Sequence, residues 1–226
     1  MPKGSRVRSP SPFALRVSLL SPLLLVSAVW LSVIAGCAQT PPEAPREVFA
    51  RAVADFERGA VDESAAGFDR VAELAPSQAP HLWQRGIALY YAGRYTACRA
   101  QFESHRTVNP NDVENAAWHF LCVARAESPE KARAALLPVG PDARAPMREI
   151  YQMFRGGLSP EQMLAAAGDQ VTARFYGELY AGLYYEALGN AEAALNHITT
   201  AAQDRYAVGG YMHTVARVHL DLLRRQ

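Results

Sequence analysis

Gly59, Phe68 and Pro76 recur as Gly93, Phe102 and Pro110, each 34 positions later. A fixed spacing of this length constrains the fold strongly, because each unit must bury its apolar face against a near-copy of itself. The residue types fit a helix–turn–helix unit. Gly59 and Gly93 fall where a first helix ends, at a cap whose left-handed backbone glycine adopts without steric cost. Phe68 and Phe102 fill the gap between two helices, and Ala52 and Gly86 are small where those helices cross. Pro76 and Pro110 stop the second helix, since the residue before a proline is driven out of the helical region.

The unit is clearest at Leu82–Tyr95, and its grammar returns at Leu179–Asn190, with Ala194, Ile198 and Ala201 on a following helix. The first unit, about Pro45 to Gln78, is weaker, with Arg51 and Asp55 where apolar residues are usual. The middle breaks the period. A helix is expected over Asn115–Glu127 from a cap signal at Asn111–Asp112, and a shorter one over Pro129–Leu137. Pro138–Pro141 and Ala145–Pro146 interrupt the chain before a helix at Met147–Arg155 and a capped start at Ser159–Pro160. Tyr211–Arg225 fits a final helix covering the end of the stack. The whole pattern resembles the tetratricopeptide repeat. The expected fold is all-α, a short repeat solenoid over residues 46–226, with Phe49 to Leu223 as one stack.

Ahead of this body lies a different kind of sequence. Residues 1–16 carry Lys3, Arg6, Arg8 and Arg16 and no acid, and Val17–Ile34 is apolar apart from serines and Pro22. The run closes on Ile34-Ala35-Gly36-Cys37, small residues ending at a cysteine. This resembles a bacterial lipoprotein signal, with residues 1–36 removed and Cys37 carrying the lipid. An uncleaved spanning helix is the alternative, since about 20 apolar residues suffice to cross a bilayer. Residues 37–45 then read as the lipidated cysteine and a proline-rich spacer. The anchor implies a domain facing the periplasm. By the enterobacterial pattern, Ala38 after the cysteine implies the outer membrane.

The precursor holds 23 basic and 22 acidic residues, and loss of residues 1–36 leaves 19 against 22. No basic stripe appears, so no nucleic-acid partner is expected. Cys98 and Cys122 sit among apolar neighbours and read first as buried small hydrophobes, with pairing left open. No phosphate loop, nucleophile elbow, zinc-protease helix or dinucleotide turn is present, so no enzyme and no cofactor are expected. His119 and Cys122 lie three apart on a helix, but a metal site needs more donors, and no metal is expected. Arg148–Glu149 and the Asp142/Arg144 pair read as ordinary helix-edge charges.

Aligned by the repeat, the first helix of each unit lines one face. Phe49, Phe56, Trp83, Ile87, Tyr90 and Tyr91 are the candidate groove, suited to a peptide gripped by aromatic anchors. Some tetratricopeptide proteins clamp a partner's terminal carboxylate with lysine and asparagine. Trp83 and Ile87 stand at those positions here, which disfavours that mode. A short solenoid behind a lipobox resembles the NlpI-like lipoproteins, through Cys37, the units around Gly86 and Gly182, and the segment Phe175–Leu223. That resemblance implies a non-catalytic envelope adaptor that brings proteins to a processing protease or to peptidoglycan hydrolases. The alternative is a pilotin-type assembly factor for one outer-membrane component.

Overall fold

A computed structural model describes residues 43–225. Cys37 and the signal segment lie outside the described residues. Among the described residues the elements are eleven α-helices and two short 3₁₀ segments, with no strand. Most pack as neighbouring pairs. These are α1 (Pro45–Glu57) with α2 (Val61–Leu74), α3 (Trp83–Tyr91) with α4 (Tyr95–His105), and α5 (Val113–Ala126) with α6 (Pro129–Ala134). Next come α7 (Met147–Arg155) with α8 (Pro160–Ala167), then α9 (Val171–Ala187) with α10 (Ala191–Ala201), and α11 (Tyr211–Leu223) last. This arrangement is compatible with a helical repeat array. No helix among the described residues is long and apolar enough to cross a membrane.

The turns repeat at atomic level. Gly59, Gly93 and Gly189 have φ of 77°, 70° and 80°. In each case the glycine N–H reaches back three residues and the next N–H reaches back five. Around Gly93, the bonds to the Tyr90 and Leu89 carbonyls measure 3.1 and 2.9 Å. This double bond pattern satisfies carbonyls that a helix end otherwise leaves open. The close crossings are equally regular. A Cβ added to Gly86 would sit 2.6 Å from the Phe102 ring, and one on Gly182 would sit 2.7 Å from Ile198. In both pairs the large residue follows the glycine by sixteen positions, one on each helix of the unit.

The interrupted middle is ordered. Asp112 caps α5 by accepting from the Glu114 N–H at 3.0 Å. Ser159 and Gln162 form a reciprocal capping box at the start of α8. α6 ends at Ala134, short of the expected Leu137: the Ala135 N–H closes the last turn on the Lys131 carbonyl at 2.9 Å, and Pro138 keeps Leu137 out of the helix. Cys98 and Cys122 are both fully buried and joined as a disulfide that ties α4 to α5, with Cα atoms 5.9 Å apart. The pairing that the sequence left open is thus made, and the first reading as two unpaired small hydrophobes is corrected. Helix contact, not sequence spacing, brings the two sulfurs together.

α11 does more than cover the last pair. It packs on α10, and it also touches α1. Tyr211 stacks on Phe56 at 5.7 Å and meets Trp83 edge-on at 5.1 Å, while the His219 ring lies 5.6 Å from Tyr91. The final helix therefore lies across the aromatic face built by α1 and α3.

Candidate functional site

The six groove candidates lie in neighbouring positions, but they are not equally available. Phe56 and Ile87 are fully buried, and Tyr90 is 5% exposed. Tyr90 packs edge-on against Trp118 at 5.5 Å and Phe56 packs against Tyr91 at 5.5 Å, so these rings hold helices together. Phe49 is half-buried against Phe68 at 5.4 Å, on the α1–α2 seam. Trp83 and Tyr91 are half-buried, and α11 covers part of each. The repeat alignment left this face open, whereas α11 now occupies much of it. Clefts remain at its edges, one lined by Tyr90 and Tyr91 and a slightly larger one beside Tyr211.

That cleft has a volume of about 330 Å³, within the usual range of small-ligand sites. α3 contributes Trp83, α5 contributes Trp118, and the start of α11 contributes Tyr211. Tyr176 of α9 closes another side. Trp118 is 1% exposed, and its indole N–H donates to nothing among the described residues. The Tyr211 hydroxyl is likewise buried without a partner among them. Buried donors left in this state are uncommon, because the lost hydration is not replaced.

One end of the cleft is charged. Asp112 and Glu114 stand at the start of α5, and Arg144 reaches them from the interrupted segment. Its guanidinium donates to Glu114 Oε2 at 2.7 Å, to Asp112 Oδ1 at 2.5 Å and to Asp142 Oδ2 at 2.6 Å. The Tyr180 hydroxyl donates to Glu114 Oε1 at 2.8 Å. Burial, with the neighbouring Asp112 charge, pushes the Glu114 carboxyl above its ordinary value. The Tyr176 phenol is pushed up to about 12 by burial and by the Glu114 charge. Both shifts have the sign of a partly desolvated, electronegative site.

Sequence reading missed this end for a plain reason. Arg144 is 30 positions from Glu114 and 32 from Asp112, so no helical spacing connects them. The one available signal was an arginine flanked by aspartate inside a Pro- and Gly-rich interruption, where a solvated charge and an inward one look alike. Trp118 carried only an apolar signal.

A second polar cluster joins α3, α5, α9 and α11. Tyr91 Oη lies 2.9 Å from His219 Nδ1, His219 Nε2 lies 3.4 Å from Glu186, and Arg125 pairs with Glu186 at 3.5 Å. Burial drives the His219 imidazole down to about 4, with the Arg125 charge adding to the effect. Burial raises the Glu186 carboxyl. The two act in opposite directions on stability. A histidine held neutral contributes stability that is complete above its unfolded value of about 6.5 and is lost as pH falls toward about 4. The raised Glu186 instead loses stability as pH rises through its folded value.

The histidine part is separable by substitution. Urea unfolding near pH 7 and near pH 4.5 should show that His219→Phe removes about 2 kcal/mol of the acid-induced loss seen in the parent. The readout is the difference between the two pH values within each protein, because the substitution also strands the Tyr91 hydroxyl. Identical acid sensitivity in both proteins would refute a neutral, buried His219.

No known protein-family model matches this chain.

Proposed function

We propose that the chain is a lipid-anchored, non-catalytic adaptor of the bacterial envelope, built as a short tetratricopeptide-repeat solenoid. Cys37 is its lipidation site, the proline-rich segment its spacer, and the periplasm the compartment it faces, on the outer membrane. The observation that carries the reading is a cleft with aromatic walls on a scaffold of paired helices. The 34-residue recurrence, the repeated glycine turns and the glycine crossings support the repeat assignment. The buried disulfide is consistent with an oxidising compartment. A proteinaceous partner fits because Trp83 and Tyr211 at the cleft offer ring surface of the kind that anchors binding.

The test is a crosslinking capture from native envelopes, comparing the parent with Trp83→Ala after thermal melts show that both are folded. Trp83 is the variant of choice because it is only half-buried, whereas Tyr90 is buried. Capture of envelope proteases or peptidoglycan hydrolases that is lost in the variant supports the adaptor. An unchanged set in the variant removes the cleft as the binding face. Capture of a single outer-membrane component would instead favour a pilotin-type assembly factor.

A further inference from the structure

The charge at the Arg144 end of the cleft does not balance. Two carboxylates of the cleft, Asp112 and Glu114, share one guanidinium, that of Arg144, with a third carboxylate, Asp142, just outside the lining. The first turn of α5 adds about half a positive charge, which still leaves an excess of negative charge. Solvent does little to screen it, since the Asp112, Glu114 and Asp142 side chains are 18%, 15% and 6% exposed. Asp112 also accepts from Asn109 at 3.0 Å, and Asp142 from the Val113 N–H at 3.2 Å. These are neutral donors that fix the carboxylates without cancelling their charge. The walls leading to this end are aromatic, with Trp83, Trp118, Tyr176 and Tyr211 around the same space. Ring faces attract cations, and tryptophan does so most strongly.

From this combination we infer that the cleft binds an organic ammonium group, with the ring walls around the cation and the Asp112/Glu114 carboxylates facing it. The proposal names the chemistry of the recognition site proposed above and rests on the cleft being that site, though not on its partner being a protein. The buried Trp118 N–H adds a second requirement, because it lacks an acceptor among the described residues. A ligand oxygen next to the ammonium would supply one after a small movement of the wall. An anion is disfavoured by the carboxylates, and a neutral apolar ligand would leave the charge uncompensated. The raised Glu114 carboxyl agrees with this picture, since an ammonium beside it would shift it back down. The same group has two natural sources, a free amine or quaternary ammonium compound and a lysine side chain of a peptide.

Acetylcholine is a suitable probe, being a quaternary ammonium with a carbonyl close by, and 3,3-dimethylbutyl acetate is its neutral isostere. Titration of the full chain by calorimetry and tryptophan fluorescence should give saturable acetylcholine binding, with the isostere at least about tenfold weaker. Glu114→Gln, which keeps the shape and one acceptor for Arg144, should weaken acetylcholine by about tenfold. Trp118→Phe, which removes the N–H and weakens the ring face, should weaken acetylcholine by a larger factor than tetramethylammonium, which has no acceptor. A parallel titration with Nα-acetyl-lysine methylamide separates the sources: tighter binding of this probe assigns the site to a peptide lysine, and tighter acetylcholine binding assigns it to a free cation. Equal affinity for acetylcholine and its isostere, or no binding of either cation to a chain with parent-like melting, overturns the proposal. Ammonium binding by a chain that captures no envelope protein would leave this inference standing and remove the adaptor reading alone.

Discussion

Phe102→Ala should destabilise the fold by about 3–5 kcal/mol, and adding Gly86→Ala should recover part of that loss. Phe102 is 1% exposed, stacked on Trp118 with centroids 6.4 Å apart, and its ring lies where a Gly86 side chain would be. Alone, Gly86→Ala gains about 1 kcal/mol of helix propensity but loses about 1–3 kcal/mol to the clash at 2.6 Å. With the ring gone, the clash disappears while the propensity gain stays, and the new methyl fills part of the cavity. The same substitution should therefore change sign between the two backgrounds. Urea unfolding of the four proteins, followed by far-ultraviolet circular dichroism, gives the cycle directly. Additivity to within about 0.5 kcal/mol would mean that the ring does not dictate the glycine.

Loss of the Cys98–Cys122 bond should cost about 3 kcal/mol. The bond closes a loop across a sequence separation of 24, and chain-entropy arguments give that size for such a loop. Both sulfurs are buried between α4 and α5, so replacement by alanine adds a small cavity cost to that of the lost crosslink. Thermal melts with and without reductant should differ for the parent and coincide for the Cys98→Ala, Cys122→Ala double variant. Thiol titration of the parent in denaturant should find these two cysteines only after reduction. Reactive thiols at both positions before reduction would contradict the bond. Because marginal stability is the rule for domains of this size, a loss of this magnitude would reduce the folded fraction in a reducing compartment.

How far the sequence could be read depended on the kind of contact. Backbone punctuation was plain: Gly59 and Gly93 do take positive φ, Asp112 does cap α5, and α7 occupies Met147–Arg155 as its pattern indicated. Those features are local, decided within one or two turns by sterics and by unsatisfied backbone groups. The pairing of Gly86 with Phe102 was also legible, since a repeat brings its own alignment. Contacts without a period were not. Arg144 meets Asp112 and Glu114 through a loop whose path no propensity specifies. Likewise, the amphipathic pattern of α11 announces a buried face without naming what buries it. That one uncertainty decided the candidate site, because seating Tyr211 and His219 among the aromatic rings turned an exposed groove into a core with a cleft at its edge.

Open repeat arrays are modular: a unit added or removed in the middle changes length and little else, and each end frays on its own. Here Phe56 of the first helix stacks on Tyr211 of the last. The two ends are partners, so the number of units between them is fixed by geometry. Splicing in one more 34-residue copy would carry α11 away from α1 and uncover both. Amide exchange at the two termini should accordingly slow or quicken together, as it would in a ring.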